Sequence, residues 1–350
     1  MHFGFVVHPL THFHRRLLGV RSFDLSLAIT DQTSRSGPRK ISHLSLTAPD
    51  GRQCQGHLVA IQELPEELLM DQEAGVAAVR EAVAMCHGLG ARVVGLGAVA
   101  AIIGGQGKAV TRDAPCAVST GNAFTAHAAI ETVGLTRRLG RSAYPVGLIG
   151  PPGPVANGIL RGLAARGEAV DVVAAAPPKP LRRLVAALNE TTHGRVRFVE
   201  DVDAVVGPDR LLVAASSTGG RVPLSSLPAG AVVIDVAAPV DVVNDSSRRD
   251  VLLLNGEYVR LPSPLRGGLW RSIYGLVTGQ SRHIFACFAE PMLLALAENQ
   301  QLVSVGREVP LERIRALGNL AYSHGFFVDR LHERGRAVGA TRLRRFFPHG

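Results

Sequence analysis

From residue 145 onward short apolar runs alternate with segments of helical period, and this alternation constrains the fold more than any other feature. The runs at 145–149, 169–175, 196–199, 211–215, 231–236 and 251–254 carry the Val, Ile, Leu and Ala of buried strands. Helical segments reach to Ala165 after the first run and cover 180–189 after the second. Strands joined through helices pack as a parallel sheet covered on both faces. The expectation is a Rossmann-like, doubly wound α/β unit. No internal repeat competes with it.

Gly150-Pro151-Pro152-Gly153-Pro154-Val155-Ala156 sits where the first run becomes a helix, with the spacing G-x-x-G-x-x-A. Gly150 permits a tight turn, Gly153 lets backbone approach a pyrophosphate, and Ala156 lets the helix pack closely with its N-terminus facing the anion. Gly150, Pro152, Gly153, Pro154 and Val155 are the expected cofactor contacts. The alternative is a turn that packs without binding, since prolines bring no N–H. Nucleotide choice depends on the end of the second strand, where an acid would accept from the ribose 2′-hydroxyl. Here 174–178 carry no acid, and Lys179, Arg182 and Arg183 follow. NADPH is expected over NADH; an ordinary basic helix start is the plainer account. Ser216, Ser217 and Thr218 follow the fourth strand, either near the nicotinamide half or as turn residues.

The preceding third reads as mixed α/β. Strands are expected at 3–7 and 41–47, with an Asp50-Gly51 turn returning the chain through 56–64 as a hairpin. A helix is expected over 66–89, a buried strand at 92–96, a glycine turn at 104–107 and a helix over 122–139. After the parallel sheet come a loop (256–280) and two helices (282–299 and 311–324). The resulting division is an N-terminal α/β substrate-binding domain (1–140), the dinucleotide domain (141–280), C-terminal helices packing at the cleft between them (281–330) and a basic tail (331–350).

The chain has 350 residues, 46% apolar and 19% charged, which excludes a disordered or fibrous protein. No apolar run reaches the roughly 18 residues of a membrane span. The arginines of the first 16 residues follow a short apolar patch, the wrong order for a signal peptide. A soluble, cytoplasmic protein is expected. Net charge is +9, with 3 lysines and 35 arginines. From residue 330 to residue 350, Arg330, Arg334, Arg336, Arg342, Arg344 and Arg345 stand against Glu333 alone, a segment that either steers an acidic partner or is a solvated end. Few aromatics interleave with the charge, so nucleic acid is not the expected partner.

Cys54, Cys86, Cys116 and Cys287 lack C-x-x-C spacing, so neither a zinc site nor a redox pair is indicated. Composition alone makes each a small buried hydrophobe. Cys287 lies in an apolar segment with Glu290 one turn on and Pro291 at i+4. The helix should kink or restart at Pro291, bringing an N-terminal field near the thiol. Asn122, after Ser119-Thr120-Gly121, is either a helix cap or a donor to an acyl oxygen. His324 is either a capping histidine before Gly325 or a proton donor. His8, His12 and His14 fit no strong metal spacing, and no metal is expected.

The segment Phe285-Ala286-Cys287-Phe288-Ala289-Glu290-x-Met292-Leu293-Leu294 resembles the active-site cysteine segment of the cyanobacterial-type long-chain acyl-(acyl carrier protein) reductases. Further matches follow in the same order: Phe3-Gly4 with His8-x-x-Thr11, residues 98–103, Thr120-Gly121-Asn122-x-x-Thr125-Ala126, the glycine turn, Leu254-Asn255-Gly256, and Ile314-x-x-Leu317-Gly318 with Ser323-His324-Gly325-Phe326. The resemblance spans about residues 3–328. Departures are Phe124 for a usual histidine, Ala156 for a usual glycine, Pro291, the loop after Gly256 and the arginine-rich extension. It implies an NADPH-dependent reductase in which Cys287 attacks an acyl thioester and an aldehyde is released, with Asn122 and His324 as further catalytic candidates. The acyl group would arrive on an acyl carrier protein or coenzyme A, and acidic carriers suit a basic surface. The aldehyde would either leave freely or pass to an aldehyde-consuming partner enzyme. The alternatives are a shikimate-dehydrogenase-like NADP-dependent enzyme without a covalent intermediate, and a non-catalytic NADP(H)-responsive binding protein.

Overall fold

The structure, a computed structural model, describes residues 1–9, 37–140, 144–192, 195–207, 210–237, 239–242, 248–267 and 282–347. Thr11, His12 and His14, residues 141–143, and 268–280 of the expected loop lie outside the described residues. The strands are β1 (His2–Val7), β2 (Arg39–Thr47), β3 (Gln53–Ala60), β4 (Val93–Leu96), β5 (Ala117–Ser119), β6 (Val146–Ile149), β7 (Val170–Val173), β8 (Val196–Val199), β9 (Leu211–Ala214), β10 (Val232–Asp235), β11 (Leu252–Asn255), β12 (Tyr258–Arg260), β13 (His283–Phe285), β14 (His332–Glu333) and β15 (Arg336–Ala337). The helices are α1 (Pro65–Met70), α2 (Gln72–Gly88), α3 (Ile103–Gln106), α4 (Lys108–Thr111), α5 (Asn122–Arg138), α6 (Pro154–Ala165), α7 (Lys179–Thr192), α8 (Ala286–Leu296), α9 (Leu311–Ser323) and α10 (Ala340–Phe346). Among the described residues no helix is long and apolar enough to cross a membrane.

Two compact units share the chain. The first comprises Met1–Gly121, Leu261–Gly306 and Leu320–Phe326; the second comprises Asn122–Arg260, Arg307–Asn319 and Phe327–Gly350.

The first unit is built on a five-stranded sheet in the order β2-β3-β1-β4-β5. The expected hairpin is there: β2 and β3 pair antiparallel across the Asp50-Gly51 turn. The other neighbours are parallel. Successive residues of β1 show which helix covers which face. Gly4 abuts Cys86 of α2, so closely that a Cβ would come 2.7 Å from its sulfur. Phe5 points the other way, onto Phe288 of α8, with ring centroids 4.5 Å apart. Two expectations are corrected here. Residues 66–89 form two helices, because Asp71 ends α1 and its side chain caps α2 by accepting from the Ala74 N–H. The segment 282–299 starts as strand β13, whose aromatic and β-branched residues suit extended backbone, and turns helical only at Ala286. The glycine turn at 104–107 does form, with Gly104, Gly105, Gln106 and Gly107 all at positive φ.

The second unit carries an eight-stranded sheet in the order β15-β14-β11-β10-β9-β6-β7-β8. Strands β6 to β11 are mutually parallel. Counting from β6, their order is 3-2-1-4-5-6, the doubly wound arrangement of two mononucleotide-binding halves. The single charge in β7, Asp171, is buried and neutralised by Arg197 and Arg210. The basic segment after residue 330 is corrected from a tail to a built addition. Strands β14 and β15 form a hairpin whose Arg334 and Gly335 both adopt positive φ, and β14 pairs antiparallel with β11. Arg342 of α10 holds both carboxylate oxygens of Glu333 at 2.6 and 2.8 Å and the carbonyl of Val251 at 2.7 Å. These donors serve the fold.

Candidate functional site

In the second unit the chain leaves β6 at Ile149 and enters α6 at Pro154. Gly150, at φ +119°, lies so close to the end of β9 that a Cβ would overlap the Ala215 carbonyl and come 2.9 Å from the Ser216 nitrogen. Glycine is required on both counts. Gly153 caps α6 and spends its N–H on the Gly150 carbonyl at 2.9 Å. Pro151, Pro152 and Pro154 have none to give. The donors this turn offers to an anion are thus the Val155 and Ala156 N–H groups of the first helical turn, which have no intrahelical acceptor. Ala156 is fully buried, as close helix-to-sheet packing requires.

After β7 the chain runs through exposed Ala175 and Ala176 to Lys179, the first residue of α7. Arg182 reaches back to donate to the Pro177 carbonyl at 2.6 Å, so its guanidinium lies along the β7–α7 loop. Ser217 and Thr218 are exposed, whereas Ser216 is buried. Ser216 gives its N–H and hydroxyl to Asp241, at 2.8 and 2.5 Å, and accepts from the Gly219 N–H at 3.0 Å.

Two more acids stand at the carboxyl ends of the strands, the side where doubly wound sheets bind their ligands. Asp235 ends β10 and accepts from the N–H groups of Ala237, Asp241 and Val242, each at 2.9 Å, yet burial pushes its carboxyl up to about 6. Glu257 follows β11. Burial pushes its carboxyl up to about 8, against the pull of hydrogen bonds from Asn255 and from the backbone at Gly256 and Glu257. Its Oε2 is enclosed without a hydrogen-bond partner. Sequence reasoning missed Asp235, Asp241 and Glu257; an acid closing the apolar run at 231–236 was the available signal.

In the first unit none of the four cysteines is disulfide-bonded. Burial raises the thiols of Cys54 and Cys86 to about 12 and that of Cys116 to about 11, the range of inert packing groups. Cys287 is half-buried and is the second residue of α8. The helix does not restart at Pro291: it runs unbroken from Ala286 to Leu296, so the N-terminal field at the thiol comes from α8 itself. Gly121, at φ +74°, is pressed against Cys287, and a Cβ there would stand 2.5 Å from both its Cα and its Cβ. Asn122, the next residue in the chain, is buried, and its Nδ2 has no hydrogen-bond partner.

His324 has both ring nitrogens engaged. Nδ1 lies 2.9 Å from the Leu320 carbonyl and 3.0 Å from the Ser323 hydroxyl, and Nε2 lies 3.3 Å from Arg52, which also holds Asp50. It ties the end of α9 to the β2–β3 turn. Buried His8 accepts from the Val99 N–H and contacts the Pro9 carbonyl; desolvation lowers its basicity.

Strand order and glycine turn together define the class: an α/β protein with a dinucleotide-binding fold. No protein-family model matches the chain. Along its whole length it is 28% identical to Aminotransferase PigE of Serratia sp. (strain ATCC 39006), and it spans 42% of that protein. This corrects the resemblance drawn from the Cys287 segment: the match along the whole chain is to PigE and not to a long-chain acyl-(acyl carrier protein) reductase. Similar solved structures include L-tryptophan dehydrogenase from Nostoc punctiforme (10% identity, TM-score 0.35, 77% of this chain and 68% of that one). They also include the nucleotide-binding domain of glutamyl-tRNA reductase from Thermoplasma volcanium (19%, 0.26, 36% and 84%). At such scores these likenesses add nothing to what the strand order establishes.

Proposed function

We propose that this chain is a nicotinamide-dinucleotide-dependent oxidoreductase, that its preferred cofactor is NADPH, and that it reduces an acyl thioester to an aldehyde through Cys287. The observation that carries the oxidoreductase reading is the 3-2-1-4-5-6 sheet with Gly150 wedged against β9, a cradle that a Cβ would fill. The Val155 and Ala156 N–H groups would hold the pyrophosphate, and Lys179 and Arg182 a 2′-phosphate. When bound, the dinucleotide supplies the hydride that brings the acyl carbon to the aldehyde level.

The thiol half rests on Cys287 alone among the cysteines being half-buried in the first turn of a helix with backbone pressed against it. Its thiolate would attack the thioester carbonyl. The new C–S bond to Cys287 forms as the old one breaks, and the departing thiolate takes the proton that Cys287 lost. Hydride addition to the acyl carbon would then expel Cys287 as a thiolate, which takes up a proton from water to return the thiol. His324 is given no proton to move, because both its nitrogens are engaged. A carrier-bound acyl group suits the basic surface.

The name of the PigE relative suggests amino transfer as a second reading. Such chemistry with pyridoxal phosphate requires a lysine for the Schiff base. The three lysines here, Lys40, Lys108 and Lys179, are all exposed on the surface. These residues do not fit that cofactor.

The deciding experiment incubates the full chain with NADPH and octanoyl-coenzyme A, wild type beside Cys287→Ala, and follows reduced nicotinamide and aldehyde. Oxidation with aldehyde formed in the wild type and lost in the variant is expected. Undiminished oxidation in Cys287→Ala removes the thiol, and NADPH binding without oxidation by any thioester removes the reaction.

A further inference from the structure

Glu290 is a carboxyl with no exposed surface, in a helix whose neighbouring Met292, Leu293 and Leu294 are equally enclosed. Burying such a group costs desolvation unless hydrogen bonds replace the water. Here they do. Ser119 Oγ donates to Glu290 Oε1 in a short bond, and Ser304 Oγ approaches the same oxygen at 3.3 Å. Ser119 Oγ also accepts the Ser304 N–H at 2.8 Å, and the Ser304 carbonyl accepts both the N–H and the hydroxyl of Thr120, at 2.8 and 2.9 Å. Ser119, Thr120 and Ser304 are themselves buried. The ring closes three separate segments on one another: the end of β5, the first turns of α8 and the chain at 304.

Its geometry bears on the thiol. Glu290 stands one helical turn beyond Cys287, on the same side of α8. Ser119 stands two residues before Gly121, whose backbone is pressed against Cys287. Cutting the ring would release that backbone from the thiol-bearing residue without touching either partner of the contact.

We propose that Glu290 is a positioning residue: acting through Ser119, it fixes the Gly121 turn against Cys287 and so sets the pose of an acyl group arriving at the thiol. The proposal rests on the nucleophilic role of Cys287 argued above. Displacements of about 1 Å at a reacting centre cost about 10²-fold in rate. They need not weaken binding.

The test follows acylation of Cys287 by octanoyl-coenzyme A without dinucleotide, by intact mass and peptide mapping. The full chain is compared as wild type, Glu290→Leu, Glu290→Gln and Ser119→Ala over a range of thioester concentrations. Glu290→Leu and Ser119→Ala should lower the maximal acylation rate about 10²-fold and move the half-saturating concentration by less than about threefold. Glu290→Gln should recover to within about tenfold, since the amide oxygen still accepts both hydroxyls. Wild-type maximal rates in Glu290→Leu and Ser119→Ala, or a change confined to the half-saturating concentration, would overturn the positioning role. If Glu290→Leu does not fold, Ser119→Ala, which removes a single oxygen, decides. Wild-type protein that gains no acyl mass at Cys287 defeats the nucleophile itself and this proposal with it. Equal acylation in all four proteins defeats the proposal alone.

Discussion

The two units hold their candidate groups by different means. In the second, the site is backbone: the Gly150 turn, the N–H groups at the start of α6, and strand ends fixed by a parallel ladder. In the first, it is side chains: Cys287 is placed by a ring of Ser119, Glu290 and Ser304 drawn from segments far apart in the chain. Each ends on a glycine at positive φ with no room for a Cβ, Gly150 against Ala215 and Gly121 against Cys287. A backbone site tolerates side-chain change around it and fails when its glycine gains a carbon. A side-chain site fails when one polar atom is lost. The units should therefore be separable by mutation, and substitutions in each of them test this.

The largest effect belongs to Cys287→Ala, which should lower thioester-dependent NADPH oxidation by about 10³-fold or more while leaving NADPH affinity unchanged in a fluorescence titration. Next is the pair of glycines. Gly150→Ala forces a Cβ onto the Ala215 carbonyl at φ +119°. Strain of about 1–3 kcal/mol should weaken NADPH binding about tenfold or more and leave acylation of Cys287 by octanoyl-coenzyme A intact. Gly121→Ala should do the reverse. If either variant damages both functions while remaining folded by circular dichroism, the separation of the two sites is wrong. Third, Arg182→Glu should cut the preference for NADPH over NADH about tenfold, through loss of a charge-assisted contact. An unchanged ratio would leave Arg182 as only the brace of the Pro177 carbonyl.

The same contrast explains which parts of the molecule were legible in the sequence. Strands β6 to β11 and the turn after β6 were legible because their demands are local: aliphatic runs of strand length, and glycine where the chain doubles back. The ring around Glu290 was not, since Ser119 lies 171 residues from Glu290 and nothing local marks either as a partner. The last twenty residues misled for a related reason. Five arginines against one glutamate read either as an arm that steers an acidic partner or as a solvated end, yet Arg342 finds acceptors at Arg249 and Val251, more than 90 positions away. At the start of α8, apolar continuity from Ile284 onward concealed a three-residue strand, because period alone cannot separate a short strand from the helix it feeds. The Cys287 segment also suggested a family that the match to PigE does not support. A ten-residue motif reports the demands of local packing around a thiol, which chains of different families can share.

The smallest expected effect lies in the second unit, and its sign follows from burial. Burial holds the Glu257 carboxyl at about 8, against an ordinary value of 4.5, and Asp235 at about 6, against 3.8. Between the ordinary and the raised values the folded protein keeps protons that the unfolded chain has released. Stability must therefore fall as pH rises through that window, and level off above it. Most carboxylates paired in a fold have the opposite slope, so the whole-protein profile mixes both, and the informative quantity is a difference between variants. Glu257→Gln keeps the shape and the hydrogen bonds to Asn255 but carries no proton to lose. Its midpoint of thermal unfolding should gain on the wild type by a few degrees between about pH 5 and pH 8, with the gap constant above. A gap that stays flat from about pH 5 to pH 8 would mean that Glu257 is already ionised there in the folded protein, with a cation beside it. In that case the enclosed Oε2 belongs to a binding site, and the second unit too would hold a functional group by its side chains.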